Sequence, residues 1–250
     1  MKKIEIGVLN PESLKEAEKM MVCTARLTQR GHSIKCLADF MELYNKDYTA
    51  KTAETMVRLP HPTIQKFGVV NVVVIGASRR FLAQITRHQN EVKYMSASLQ
   101  YSDYSDDADF VVPYEFIGNE EQTAAYIKTC RESMAAYKAA VDSGMPNDSA
   151  GYMAPQGLRN VLLISATPYQ WKHMIGQRVC KRNTTETRYV MLRVWEELHA
   201  LNPTLFSPET TGAFCVRDKC LEGGMNCGSV MPKGATPSEL LACDYPLLGV

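Results

Sequence analysis

The chain has 250 residues with 28 Lys+Arg against 27 Asp+Glu, and a formal net charge of +1 argues against a nucleic-acid coat or a membrane-surface peptide. Hydrophobic residues at 45% and charged residues at 22% are ordinary globular values, so a buried core is expected in place of a disordered or fibrous chain. Eight cysteines fall well short of a disulfide scaffold, MKKIEIGVLN has no apolar run behind its lysines, and no stretch approaches the ~18 apolar residues of a membrane span. A reducing, cytoplasmic setting is therefore expected. Asn10 and Pro11 read as the cap and first residue of an amphipathic helix that Gly31 stops, with Leu14, Ala17, Met21 and Ala25 inward. Further helices are expected over Leu37 to about Tyr44 and about Ala50 to Leu59, the second ended by Pro60 and Pro62. Phe67 to Gly76 is nearly continuous Val and Ile, the pattern of a strand buried on both faces. Ser78-Arg79-Arg80 opens a helix through Arg87, and a polar, tyrosine-rich segment follows from Gln89 to Asp109. Asn119 can cap a long helix with Tyr126, Cys130, Met134, Tyr137 and Val141 on one stripe. Gly144 to Gly151 reads as a loop, Val161 to Ser165 as a short strand or apolar helix, and Thr184 to about Leu201 as a helix with Tyr189, Leu192, Trp195 and Leu198 inward.

The densest polar cluster is Gln84 to Glu91, followed by Ser96-Ala-Ser98-Leu-Gln100-Tyr101. Three- and four-residue spacings meet on a helix, so Gln84, Arg87 and His88 form a fork of donors suited to an anion or a heterocycle edge. A solvated helix end with a serine-rich loop is the plainer reading of the same residues. Cys215, Cys220 and Cys227 lie in a Gly-rich tail, where His199 or Cys243 could complete a zinc set, but the spacing is not a standard structural one. No metal is expected. Cys23, Cys36, Cys130 and Cys180 read as isolated core thiols, and none has the context of a catalytic nucleophile.

These segments resemble the flavin-dependent thymidylate synthases, whose defining run is Arg-His-Arg, two residues, Ser, one residue, Asn-Glu, one residue, Ser, one residue, Arg-Tyr. Arg87-His88 and Ser98, one residue, Gln100-Tyr101 follow it with one residue inserted between the halves. His61-Pro-Thr63 resembles the family's upstream His-x-Ser/Thr element, and Ser78-Arg79 with Gln84 its Ser-Arg then Gln spacing. Arg159, Trp171-Lys172-His173, Arg178, Glu186 and Arg188 resemble its C-terminal half in order and spacing, so the likeness runs from about His61 to Pro203. The departures concern charge. The second arginine is Gln89, the Asn-Glu pair falls on Met95-Ser96, the loop arginine is Gln100, and a usual glutamate is Lys66. Arg159, Arg79, Arg80 or Lys93 are candidates for the missing cation.

The resemblance implies an α+β fold, a single domain over 1–250 with a central mixed or antiparallel sheet flanked by helices. Its segment from about 203 to 250 is a Cys/Gly-rich extension. It further implies methylation of dUMP to dTMP, with methylenetetrahydrofolate as carbon donor and FADH2, regenerated by NADPH, as hydride donor. Arg178 would be catalytic, a permanent cation at the pyrimidine edge that stabilises the ring ionised at N3; an arginine paired with Glu186 is its structural alternative. Gln84, Arg87, Ser96, Ser98, Gln100, Tyr101 and Arg159 would join it in binding substrate. His61, Thr63, Arg87, His88, Gln89 and His173 would lie along flavin or folate. A homotetramer with shared sites is implied, with neither nucleic acid nor membrane as partner. The departures leave two other readings open: a flavin-dependent methylase or hydroxymethylase of UMP or a phage nucleotide, and a flavin- or nucleotide-binding homologue without catalysis.

Overall fold

Four short antiparallel strands in the order β1-β2-β4-β3 form the sheet at the centre of the computed structural model, which describes residues 4–248. The element order is β1 (Glu5–Val8), α1 (Glu12–Arg30), α2 (Leu37–Asn45), α3 (Ala50–Val57), β2 (Val70–Ser78), α4 (Arg79–Ile85), β3 (Val92–Ser96) and α5 (Glu120–Asp142). Then come α6 (Asn147–Ala150), β4 (Arg159–Ala166), α7 (Pro168–Arg178), α8 (Thr185–Leu201), α9 (Pro208–Thr211), α10 (Phe214–Arg217) and α11 (Pro237–Asp244). The expected α+β architecture is what forms, with an antiparallel sheet. None of the helices described is long and apolar enough to cross a membrane.

One face of the sheet carries the main core. Val70, Val72, Val74, Leu162, Ile164 and Ala166 are buried there against α1, α4, α7 and α8, with Trp171 and Trp195 among the largest side chains enclosed. The segment after 203 joins this core through Val216, Met231, Leu241 and Tyr245. A second cluster forms where the α5 stripe, Cys130, Met134 and Tyr137, meets Phe110 and Leu158. The reading of β2 as buried on both faces is corrected by its alternation: Ile75 is 42% exposed, and Val161 and Met95 across the ladder are 45% and 72% exposed. An unbroken Val/Ile run conceals which side faces the core, because every residue in it is apolar.

Local chemistry explains several joints. Asn10 accepts the Asn71 N–H at 2.8 Å and donates to the Val69 carbonyl at 3.1 Å, tying the start of α1 to β2. Asn119 caps α5 as expected, accepting from Gln122 N–H at 3.0 Å. Gly76, at φ +83°, sits where the β2–β4 register shifts; the bulge turns Ala77 and Ser78 inward at the entry to α4. Two strands and five helices lie outside the sequence expectation: β1, β3 within the polar segment, α6 inside the stretch 144–151 expected as a loop, α7, and the short α9, α10 and α11 of the tail; Cys36, expected in the core, is exposed. Thr167 caps α7 by accepting from Gln170 N–H at 3.2 Å, and Pro168 takes its first turn, a start signal that is present in the sequence.

Candidate active site

The last residue of α7 meets the turn that follows α4. Arg178 donates from Nε to His88 Nε2 at 2.9 Å, from Nη2 to the Gln84 carbonyl at 2.9 Å and from Nη1 to Asn183 Oδ1 at 3.3 Å. All three partners are neutral. Because His88 Nε2 accepts, its proton resides on Nδ1. His88 is 7% exposed, and burial, helped by the charge of Arg178 and then by His173, pushes it down to about 4, so the ring is uncharged at neutral pH. His173, on the face of α7 one turn earlier, sets its ring edge-on to His88 at 5.6 Å and 84°. Below them Tyr94 donates to the Ile85 carbonyl at 2.8 Å, and burial pushes its phenol up to about 12. Burial, then the nearby Arg87, presses Arg178 below the usual guanidinium value. The arrangement is a fixed cation with a face open to a cleft and no carboxylate partner among the described residues.

Arg87, His88, Gln89, His173 and Arg178 line this cleft together, with Asn90, Gln170 and Gln177, around a cavity of about 360 Å³. Gln84 contributes its carbonyl; its side-chain oxygen turns to α8 and accepts from Thr184 at 3.2 Å and Thr187 at 2.8 Å. Ser96, Ser98 and Gln100 line a different cavity of about 590 Å³ with Arg79 and Tyr152. Arg79 is thus the one of the four candidate cations that shares that cavity, and its buried Nη1 has no hydrogen-bond partner among the described residues. Tyr101 is exposed outside both, as are His61 and Thr63 at the turn Pro62–Gln65. Arg159 lies against Asp109, Nε to Oδ2 3.3 Å, and lines a third cavity of about 280 Å³ with Glu186, Tyr114 and Tyr245. One chain therefore assembles the Arg178 group and leaves Ser96, Ser98, Gln100, Tyr101, Arg159, His61 and Thr63 apart from it.

Glu186 is not the partner of Arg178. Its carboxylate accepts the Ser78 N–H at 2.7 Å and the Ser78 hydroxyl at 2.5 Å, and burial raises its pKa. Arg188, which follows it in the resemblance, is buried and structural: it donates to the Val179 carbonyl at 2.9 Å and to Asp244 at 2.6 Å, clamping α11 to the end of α7. Lys66, standing where a glutamate was expected, pairs with Glu91 at 2.6 Å, and Glu91 also accepts from Thr167 at 3.0 Å. Glu91 has φ +54°, the one positive value among the described non-glycine residues, so the turn before β3 is held in the left-handed region by those two contacts. Among the described residues no group of three or more His, Cys, Asp or Glu is placed to hold a metal ion, and His199 directs Nδ1 at the Phe206 carbonyl 3.1 Å away. Gln170, Gln177 and Asn183 were not expected at the site. Gln170 and Gln177 follow from α7, whose start signal at Thr167-Pro168 could have exposed them, and Asn183 lies in the turn between α7 and α8.

The fold and the Arg178 cleft together define an α+β protein whose candidate site sets an arginine among neutral donors and acceptors. Its fold is similar to that of a UMP/dUMP methylase, PolB from Streptomyces cacaoi, solved with 5-Br dUMP: TM-score 0.64 at 13% identity, covering 82% of this chain and 94% of that one. The thymidylate synthase complementing protein family matches residues 11–204. A flavin-dependent thymidylate synthase of Geobacter sulfurreducens is 25% identical over 214 residues, 85% of this chain and 90% of that protein. Another from Thermococcus onnurineus is 26% identical over 141 residues, 55% of this chain and 57% of that protein. The chain belongs to the flavin-dependent thymidylate synthase family, as a divergent member.

Proposed function

We propose that the chain methylates carbon five of dUMP, taking the carbon from methylenetetrahydrofolate and the hydride from FADH2 that NADPH regenerates. The observation that carries this reading is Arg178, held by three neutral acceptors with its charge uncompensated at the cleft. A permanent cation in a partly dry site stabilises negative charge that develops on a bound ring, here the pyrimidine ionised at N3. The neutral His88 and the Gln84 carbonyl fix the guanidinium before substrate arrives, so no reorganisation is needed as the charge forms. The cleft fits a flavin in its donor set: Arg87, Gln89, Asn90 and His173 offer hydrogen bonds with no carboxylate among the lining residues. Arg87, His88, Gln89 and His173 would hold it. When bound, FAD in its reduced form supplies the hydride that completes the methyl group. Ser96, Ser98 and Gln100 would receive the nucleotide from another copy of the chain, since one copy keeps them in a separate cavity.

Assembly as a homotetramer is part of the proposal, and the apolar outer sheet face of Val73, Ile75, Val161, Leu163 and Met95 supports it, because so much contiguous apolar surface is unusual on a monomer. Sedimentation of the purified protein tests this; a monomer holding FAD at full affinity would refute shared sites. A second reading, methylation of UMP or another pyrimidine nucleotide, is favoured by Gln100, which offers hydrogen bonds but no charge where family members place an arginine. Product mass after incubation with dUMP or UMP, methylenetetrahydrofolate and NADPH separates them. Thymine mononucleotide from dUMP supports the first, a methylated product from UMP alone the second, and yellow protein yielding neither supports a binding homologue.

A further inference from the structure

A second pair of cations stands behind the cleft. Lys172 is 7% exposed, and its Nζ donates at 2.7 Å to Gln65 Oε1, a neutral amide. One turn along α7, Gly176 has no side chain, and a Cβ there would stand 3.3 Å from Arg217 Nη2. Glycine inside a helix costs stability, and here it leaves the space in which the guanidinium of Arg217 lies along α7 beside Lys172. Arg217 reaches that place from α10, with its face on Phe214, 4.6 Å from the ring centroid. Its Nε is buried without a hydrogen-bond partner, and neither cation has a carboxylate partner among the described residues. Burial, then the charge of Arg217, brings Lys172 down to about 7, and burial lowers Arg217 below the usual guanidinium value.

Both side chains line a cavity of about 280 Å³, together with Gln65, His173, Gln177 and Thr210, and no acidic residue lines it. Buried cations are ordinarily paired. Two of them side by side, with an unpartnered N–H and a wall of neutral donors, lack only an anion. We infer that the Lys172–Arg217 cavity is a binding site for a phosphate-type oxyanion. The oxyanion would be gripped by the ammonium and the planar guanidinium, with Thr210 and Gln177 as further donors. His173 and Gln177 also line the Arg178 cleft, so the two cavities share walls. The oxyanion is either free phosphate or a phosphoryl group of a ligand reaching across from that cleft.

The probe is inorganic pyrophosphate, titrated calorimetrically into the full chain, the Arg217→Gln and Lys172→Gln variants, and Arg217→Lys, which keeps the charge. Saturable binding to wild type that weakens about ten- to a hundredfold in both Gln variants, with Arg217→Lys close to wild type, is the expected result. Each variant is first shown to be folded by circular dichroism. No saturable binding to wild type, or undiminished binding to folded Arg217→Gln, overturns the inference. Displacement of pyrophosphate by FAD but not by riboflavin assigns the oxyanion to the phosphates of a dinucleotide; displacement by neither assigns it to free phosphate. The direct titration contains only pyrophosphate, with no flavin, pyrimidine nucleotide or folate, so its outcome does not depend on the methylase reading.

Discussion

Replacing His88 by Phe separates the position of Arg178 from its charge. The ring volume is kept, but the Nε2 lone pair that accepts from Arg178 at 2.9 Å is lost. A hydrogen bond to a charged donor contributes about 1.5–3 kcal/mol, equivalent to about 10- to 150-fold in a rate or affinity. The Gln84 carbonyl and Asn183 still hold the other two nitrogens, so the expected loss lies near the lower end, about tenfold in kcat/KM. If Arg178 acts on charge that grows during reaction, kcat falls more than KM rises. His88→Gln carries an amide oxygen to about the place of Nε2, within reach of the same N–H, and should recover part of the rate. The pH dependence gives an independent readout. A histidine whose folded value is lowered from 6.5 to about 4 contributes stability that is present above pH 6.5 and lost as pH falls toward 4. The ring borders the open cleft, so solvent screening discounts that contribution to about 1–2 kcal/mol. Wild type should therefore keep the His88–Arg178 bond at pH 5 to 6, where an ordinary histidine would already be charged. Turnover within twofold of wild type in His88→Phe, or a wild-type limb near 6.5 that the substitution abolishes, refutes the assignment.

Ser78→Ala removes both the cap of α4, which accepts from Phe81 N–H at 3.1 Å, and the hydroxyl bond to Glu186; a loss of about 2–4 kcal/mol is expected by urea denaturation, and Ser78→Thr should restore most of it. Lys172→Met removes a group whose folded pKa is lowered from 10.5 to about 7. The penalty for burying its charge is complete below pH 7, shrinks as pH rises and is gone above 10.5, so the variant should exceed wild type by about 1–3 kcal/mol at pH 6 and lose that margin toward pH 10. A margin independent of pH, measured by denaturation across that range, would show that Lys172 is not desolvated. Leu163→Lys on the outer sheet face, like-charged across a symmetric contact, should shift the sedimentation coefficient toward the monomer and lower flavin affinity with it.

What could be read from sequence depended on how far a signal survives without its neighbours. α1, α5 and α8 announced themselves through caps and apolar stripes, since a helix buries one face and repeats it over several turns. β3 did not: Val92-Lys-Tyr-Met-Ser is five residues long, and Lys93 and Met95 face the open side of the sheet, so alternation had little length in which to show. The resemblance set Arg178 at the pyrimidine edge and His88 and His173 along flavin or folate, and in the structure all three line one cleft. It could not state the partners of Arg178, because the Gln84 carbonyl and His88 Nε2 are contacts of tertiary geometry. The alternative in which Arg178 pairs with Glu186 illustrates this. Eight residues separate them in sequence, yet Glu186 is engaged by Ser78 at the end of β2, just past the bulge at Gly76.

The near-zero net charge conceals a sorting of charges that the structure makes visible. Many acids are engaged by cations away from α7: Asp106 and Asp142 by Lys138, Glu196 and Glu197 by Arg193, Glu222 by Arg182, and Asp244 by Arg188 and Lys181. Arg178 and Lys172 on α7, and Arg217 against it, have no such partner among the described residues. Such a sorting costs stability, since Arg217 presses on Lys172 and Arg87 on Arg178 where water is partly excluded, and bound anions are one way in which the cost is returned. Anions bound on both sides of α7 would return it, a nucleotide ring and flavin at Arg178 and an oxyanion at Lys172 and Arg217. The two sites would then be coupled with a negative sign: the anion bound first already relieves the crowding of cations and lowers the positive potential at the other site, so each should weaken the other's binding, which titration of pyrophosphate with and without FAD would read.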